Sequence, residues 1–460
     1  MINCKHTVSF PCEIYPEEFD VVVIGGGTAG AFAGISAADC GKRVLIAERS
    51  YMLGGSATLA QVTPLMSNRL HWKVNSYLSL KLKERMMANK SAFHPEGWFS
   101  GGFSPVMLQA ELEKLAAESG VKLLYGADFI GPERENGRIT GVYINTINGV
   151  RLIKGTTFVD ATGDALVAWR AGCPCREGAE EDGKNQPASL RFAVEGVDQM
   201  ELKAFLNQIG HPVPMDAPCV EMAALIKRDH TPLAKMIKEA IHNGELEEGD
   251  AEYFQTFASP CYGGLIYFNC PEARHDLNTI DADAVTAIVL KCRQAAVRIH
   301  RFMKKHMEGF EHSSISSFAA MPGIREGRRI EGAFVLSERD FSNRLRADDA
   351  VAQTAYPVDV HGRIDDDLGV RPMAPGEYME VPYRCMIPQG VENLLVAGRC
   401  ISTTFVVQSS VRIQLVCRAL GEAAGIASAM SCDSGVPVSQ VSGAAVREKM
   451  IAMGATFQDR

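Results

Sequence analysis

Two groups of residues in this 460-residue chain have types and spacings that suit chemistry. The first is Gly25-x-Gly27-x-x-Gly30, set directly after the apolar run Val21-Val22-Val23-Ile24. Gly25 permits a tight turn, Gly27 lets the backbone approach a pyrophosphate, and Gly30 lets a helix pack closely on a strand. A helix is expected from Ala29 to Cys40, closed by Gly41. Its first turn, around Thr28 and Ala29, would offer unpaired N–H groups to phosphate oxygens. A second apolar run, Val44-Leu45-Ile46-Ala47, ends at Glu48 and Arg49. An acid at the end of such a strand can accept a hydrogen bond from a ribose hydroxyl. Strand, glycines, helix, strand and acid follow one another in order, and together they read as a dinucleotide site. The second group is Asp359-Val360-His361, with Tyr356 beside it. On a strand, period-two spacing puts both polar side chains on one face. An imidazole oriented by a carboxylate is a general base for a hydroxyl or amine proton. Arg325 opens the densest basic cluster, Arg325-Glu326-Gly327-Arg328-Arg329. It could clamp an anion bidentately, or belong to a salt-bridge network with Glu326, Glu331 and Asp340. Arg384 completes the candidates.

Other stretches must position these groups. Leu53-Gly54-Gly55-Ser56-Ala57-Thr58 is a small-residue loop along which a ligand could lie. Thr157-Phe158-Val159-Asp160 is an apolar strand running into Ala161-Thr162-Gly163-Asp164, and Asn393–Ala397 is another, ending in Gly398-Arg399. Short β-like runs between Lys122 and Phe158 are separated by glycines and suggest a meander. The stretch Arg176–Gln186 reads as a linker or lid, and Tyr262–Phe268 as an apolar-aromatic run. Gln199–Ile209 and Ala282–Met307 read as helices, the latter amphipathic with a solvated basic face. Ser409-Ser410-Val411-Arg412 is expected to open the final helix.

Composition narrows the function classes. With 47 Lys and Arg against 55 Asp and Glu, the chain is mildly acidic and lacks the broad basic face of a nucleic-acid binder. The 13 cysteines include no CxxC pair, which removes the sequence basis for a zinc ribbon, a ferredoxin-type cluster or a thioredoxin-type redox pair. No metal site is expected. The cysteines read as mostly buried, reduced thiols. The N-terminal residues do not form a signal peptide, and the smooth stretch GEAAGIASAMSC is too short to span a bilayer. A cytoplasmic location without a membrane span is the expectation, with association into a homo-oligomer left open.

These motifs together resemble the FAD-binding two-dinucleotide-fold flavoproteins. More closely, the chain is similar to the FAD-dependent oxidoreductase family related to the fumarate reductase flavoprotein group. The stretches that carry the likeness are LGGSATLAQVTPLMS, FVDATGDALVAWRAGC, MPGIREGRRIEG, AYPVDVHG, VPYRCMIPQGVENLLVAGRCIS and SSVRIQLVCRALGEAAG. The resemblance implies an α/β fold with a Rossmann-like FAD-binding domain of the glutathione-reductase type. That domain would be discontinuous, 18–172 and 383–460, with an inserted α+β substrate or cap domain at 173–382. It implies FAD, held noncovalently because the covalent histidine of fumarate reductases is not visible in the LGGSAT loop. The cofactor contacts would come from the first glycine turn, Glu48, Arg49, the 54–58 loop, Ala161–Asp164, Gly398 and Arg399. Gln408, Ser409 and Ser410 would face the flavin pyrimidine ring. The expected activity is two-electron dehydrogenation of a small polar substrate, possibly anionic, by hydride transfer to flavin N5. In it His361 would move the proton, with Tyr356 and Asp359 beside it, and Arg325 would anchor the substrate. Reduction of an activated C=C bond and a role as an electron-transfer subunit stand as alternatives.

Overall fold

The computed structural model describes residues 9, 11–70, 73–92, 102–217, 219–226, 229–257, 264–273, 277–361 and 368–459. Its largest sheet has eight strands: β1 (Cys12–Ile14), β2 (Phe19–Ile24), β3 (Val44–Glu48), β4 (Lys122–Tyr125), β5 (Asp128–Glu135), β6 (Arg138–Thr146), β7 (Gly149–Asp160) and the late strand Leu394–Val396. Strand β7 belongs to two layers at once. Its second half, Gly155–Asp160, pairs in parallel with β2, and Phe158–Asp160 also pairs in parallel with Leu394–Val396. Its first half, Gly149–Lys154, pairs antiparallel with β6 and so joins the meander. The parallel order is therefore β4-β3-β2-β7 followed by Leu394–Val396. Val21, Val22, Val23, Leu45 and Ile46 are buried on both faces, as their continuous apolar runs require.

Four helices frame or brace the site: α1 (Gly30–Asp39), α2 (Ala282–His306), α3 (Phe405–Val411) and α4 (Gln414–Ser434). Helix α4 crosses α1 at close range. A Cβ at Gly421 would lie 2.0 Å from the Ala29 carbonyl oxygen, and one at Gly425 would lie 2.1 Å from that of Ala33. The two helices cover one face of the parallel strands, and the meander and Val167–Ala171 pack on the other. A second, five-stranded antiparallel sheet runs in the order Ala223–Leu225, Tyr253–Phe257, Ile266–Phe268, Phe192–Glu195, Ser314–Phe318. It has its own core around Phe192, Phe254, Phe268 and Phe310, which α2 helps to close. Asp281 caps α2 by accepting from Ala284 N, and Arg298 on its polar face pairs with Asp250.

Several expectations change. The helix expected to open at Ser409 neither begins there nor is the last, since a helix at Gly443–Ala452 follows. Helix α3 ends at Val411, and α4 starts afresh at Gln414 with Ile413 as its N-cap. Asp359–His361 is irregular backbone rather than strand, because its amides bond to side chains (Ser409 Oγ and Gln186 Oε1) and not to a neighbouring strand. The stretch Arg176–Gln186 is pinned rather than lid-like: Glu326 accepts from Gly178 N and Asn185 Nδ2, and Arg329 donates to Gly178 O. Only Ile266–Phe268 of the apolar-aromatic run is strand, and Tyr262 lies outside the described residues. Helix α4 is longer than its smoothest stretch. It is the one helix among the described residues long and apolar enough to cross a membrane, and 89% of that window is buried inside the protein.

Candidate functional site

Both candidate groups face a single cavity of about 650 Å³. The glycine turn between β2 and α1 forms one part of its wall. Gly25 has φ +93°, and a Cβ there would lie 2.7 Å from the Ala161 carbonyl oxygen. A Cβ at Gly30 would come within 1.7 Å of Gly25 O, so only glycine lets α1 start this close to the strand. Gly27 differs: the nearest atom to a Cβ there is 3.8 Å away, and its open side is the cavity. Thr28 and Ala29 line the same wall, and the Thr28 hydroxyl donates to Gly54 O at 3.1 Å. Glu48 reaches the cavity from the end of β3 while bracing the turn, its carboxylate accepting from Gly26 N at 2.6 Å and Ser50 N at 2.8 Å. Arg49, Gly55 and Ser56 line the cavity beside it. Gly54, Ala57 and Thr58 do not line it. They shape the loop behind, where the Thr58 hydroxyl donates to Leu53 O at 2.7 Å.

The wall continues directly beside the glycine turn in the turn after β7. Buried Asp160 accepts from Thr162 N, Val167 N and Ala168 N, which fixes the turn so that Ala161, Thr162, Gly163 and Asp164 face the cavity. Asp164 pairs at 3.0 Å with Arg399, which lines the cavity beside Gly398. Arg399 Nε has no partner among the described residues. The N-terminus of the 21-residue α4 also borders the cavity, with Ile413, Gln414 and Cys417 on its wall. A helix of this length presents partial positive charge there. Burial pushes the Cys417 thiol up to about 12, so it stays protonated and unreactive.

The same cavity has a polar chamber lined by His361, Asp359, Arg325, Arg412, Arg191 and Asn269. His361 Nδ1 lies 2.9 Å from Glu272 Oε1, and that carboxylate also accepts from Arg325 Nη2 at 2.5 Å. Burial raises the Glu272 carboxyl, but Arg325 and His361 outweigh it and hold it at about 2. An anionic carboxylate only accepts, so the ring proton of a neutral His361 sits on Nδ1 and leaves the Nε2 lone pair free. Burial first, and then Arg325, lowers His361 below its usual 6.5. Asp359 Oδ1 is 3.6 Å from Nε2, and Arg412 Nη2 donates to the Asp359 carbonyl at 3.0 Å. The ring of Tyr253 meets that of His361 edge-on at 5.4 Å. Arg191 stands apart. It is 6% exposed, its Nε and Nη1 have no partner among the described residues, and its guanidinium packs over Gly323 and the Phe257 ring. Burial, reinforced by Arg325, pushes it down to about 9.

The structure thus corrects several residue assignments. The partner that orients His361 is Glu272, and Asp359 sits on the other side of the ring. Arg325 itself pairs with Glu272, while Arg329 of the same cluster forms the expected ion pair with Glu326. Tyr356 is off the cavity wall, its hydroxyl on Met66 Sδ. Arg384 is half-exposed, is paired with Asp349 and does not line the cavity. Gln408, Ser409 and Ser410 are buried and turned into the protein: Gln408 donates to Arg325 O, Ser410 to Tyr356 O, and Ser409 accepts from Asp359 N. They hold the His361 and Arg325 segments in place, and Arg412, Ile413 and Gln414 take the lining positions. Glu272, Arg191, Arg412 and Asn269 were not anticipated. Of these only Arg191 carried a local signal, a lone cation in the apolar run Ala188–Val194.

A family model described as FAD dependent oxidoreductase matches residues 20–450. Thiamine thiazole synthase of Methanococcus aeolicus is 32% identical over 162 residues, covering 33% of this chain and 57% of that protein, so the chain spans little more than half of that relative. Among solved structures, the flavin-dependent brominase Bmp2 shares 11% identity with a TM-score of 0.50, over 95% of this chain and 84% of the brominase. A geranylgeranyl bacteriochlorophyll reductase-like protein from Thermoplasma acidophilum shares 12% identity with a TM-score of 0.48, over 96% and 83% of the two chains. With its α/β fold around a parallel-sheet core and a family model covering nearly its whole length, the chain belongs to the FAD dependent oxidoreductase family and is an enzyme whose cofactor is FAD.

Proposed function

We propose that the enzyme removes two electrons and two hydrogens from a small, polar, anionic organic molecule. The observation that carries this reading is the Glu272–His361 pair. Among the described residues it leaves Nε2 without a hydrogen bond, on a ring that lines a cavity shared with Arg191, whose Nε and Nη1 are unpartnered, and with the dinucleotide cradle. The residues present fit FAD. Gly27 leaves backbone open where a Cβ would point into the cavity, and Glu48 closes one end of the cradle. Arg399 keeps an unpaired buried donor. The turn at Gly25–Gly30 would hold the pyrophosphate, Glu48 a ribose, and the first turn of α4 the pyrimidine edge of the flavin. The cofactor would be noncovalent, in a glutathione-reductase-type domain formed by 18–172 and 383–460 around an inserted 173–382. The parallel pairing of Leu394–Val396 with β7 supports that division.

When bound, FAD supplies the acceptor for the hydride that leaves substrate carbon. The chain supplies the rest. Arg191, with Arg412 nearby, attracts and orients an anionic group in a dry site where such a contact is strong. His361 Nε2 takes the proton from the heteroatom on the reacting carbon, and Glu272 stabilises the imidazolium that results. Arg325 keeps Glu272 ionised and in place. A chamber built this way counts against an electron-transfer subunit with no substrate pocket of its own.

An anaerobic visible spectrum tests the reading. The purified FAD-loaded protein is challenged with small alcohols, amines, hydroxy acids and amino acids. Bleaching of the flavin bands by one of them is the expected result. Bands untouched by all of them, together with reoxidation of dithionite-reduced protein by an enoate, would replace the dehydrogenase with a C=C reductase.

A further inference from the structure

Besides the nitrogens of Arg191 and Arg412 Nε that are unpartnered among the described residues, the chamber residues include one unpartnered acceptor, and together with Arg191 it narrows the substrate class. Asn269 is 4% exposed, and its amide is oriented by donating Nδ2 to Gln255 Oε1 at 2.8 Å. The same Gln255 oxygen accepts from Tyr253 Oη at 2.5 Å, so the orientation is held from two sides. This leaves Asn269 Oδ1 buried, on a residue that lines the cavity, with no donor among the described residues. A buried acceptor and a buried cation left unpaired are each unfavourable, and a ligand that satisfies both gains accordingly. The charges agree. Arg325 pairs with Glu272 and Arg412 with Asp359, which leaves Arg191 as the uncompensated charge of the chamber.

We infer that the substrate is a small 2-amino acid, its carboxylate held by Arg191 and its nitrogen set between Asn269 Oδ1 and His361 Nε2. The inference rests on the dehydrogenase reading and sharpens it. The decisive count is of hydrogens. Asn269 Oδ1 and His361 Nε2 are two acceptors, and a hydroxyl carries one hydrogen where an ammonium or amine carries enough for both. The step balances. His361 takes one proton from the ammonium, the Cα–H bond breaks with its electron pair passing as hydride to FAD, and the nitrogen lone pair forms the C=N bond of an iminium. Water then hydrolyses the released iminium to a 2-oxo acid and ammonium.

The test compares four molecules of one carbon skeleton by anaerobic calorimetry on the FAD-loaded protein: 2-aminobutanoate, 2-hydroxybutanoate, butanoate and 2-aminobutane. 2-Aminobutanoate should bind tightest, about 100-fold tighter than 2-aminobutane and about tenfold tighter than butanoate, the factors of a charged bidentate pair and of one hydrogen bond. Arg191→Met should bring 2-aminobutanoate down to the level of 2-aminobutane, and Asn269→Leu should bring it down to that of the hydroxy acid. The ranking on the unaltered protein decides the matter even if a variant does not fold. Equal binding of butanoate and 2-aminobutanoate, equal binding of 2-aminobutane, or no binding by any of the four overturns the inference. Bleaching separates the two claims. The expected ranking with the flavin bands intact would retain the ligand class and remove the dehydrogenase, while bleaching by the hydroxy acid alone would do the reverse.

Discussion

His361 and Glu272 make one functional unit from residues that no sequence spacing relates. Replacing His361 with Gln keeps a polar side chain but removes the base, so kcat should fall about 10²–10⁴-fold with substrate affinity little changed. The reactive form is neutral, and burial lowers the folded-state pKa below 6.5. The rate should therefore hold as pH falls to 6.5 and drop only further into acid. A pH profile whose acid limb lies above 6.5 would contradict this. The same shift has a stability sign: the unfolded chain protonates this histidine first, so His361 costs stability as pH falls below 6.5 toward its folded pKa. Arg191 gives the complementary prediction. As a buried cation without a partner it weighs on the substrate-free fold, so Arg191→Met should raise the melting temperature, by about 1–3 kcal/mol in stability, while substrate binding is lost. Calorimetric melting of the two proteins checks it. The difference in legibility at this scale has a physical cause. Gly25, Gly27, Gly30 and Glu48 are readable because the unit they form is local, one strand–turn–helix–strand. Glu272, Asn269 and Arg412 reach the chamber from distant parts of the chain, and only long-range packing brings them together.

At the level of elements, the glycine turn separates two jobs that its spacing alone merges. Gly30→Ala would drive a methyl to 1.7 Å from Gly25 O, which forces α1 off β2. It should cost about 3 kcal/mol or more and abolish FAD binding together with stability. Gly27→Ala has 3.8 Å of clearance in the cofactor-free protein, so the melting temperature without FAD should barely move while the FAD Kd rises at least about tenfold. Fluorescence titration with FAD, beside thermal melts of the apoprotein, distinguishes the two. A Gly27→Ala protein that binds FAD normally would remove the turn from the cofactor site. The elements that sequence pattern anticipated are those with unbroken periodicity: β2, α1, β3, the meander and α2. The break between α3 and α4 was hidden because Val411–Leu415 reads as one continuous helical run. It exists because the Arg412 side chain turns toward Asp359 and the Gln414 amide donates to Val62 O, tertiary contacts that outweigh local propensity.

For the molecule as a whole, the cavity is where segments far apart in the chain converge. Its walls come from the first glycine turn, the 161–164 turn, Gly323–Arg325, Asp359–His361, Gly398–Arg399 and the start of α4. Some of these segments belong to the parallel sheet and others adjoin the second sheet, whose Phe257 and Asn269 reach the chamber. A ligand bound there touches the native arrangement of both sheets and nothing comparable in the unfolded chain. FAD should therefore raise the stability of the whole protein by mass action, about 2.7 kcal/mol at a free concentration 100 times its Kd. Both sheets should unfold in one transition that moves with FAD concentration. Hydrogen exchange resolves the same claim locally. Amides at 25–30, 161–164 and 414–417 should slow directly on FAD binding, whereas those of the Pro232–His242 helix, packed in the second core away from the cavity, should slow only as far as global stability rises. Two melting transitions, of which FAD shifts only one, would mean that the Glu272–His361–Arg325 contacts do not couple the second sheet to the cofactor site. The chamber would then have to assemble after FAD is already in place.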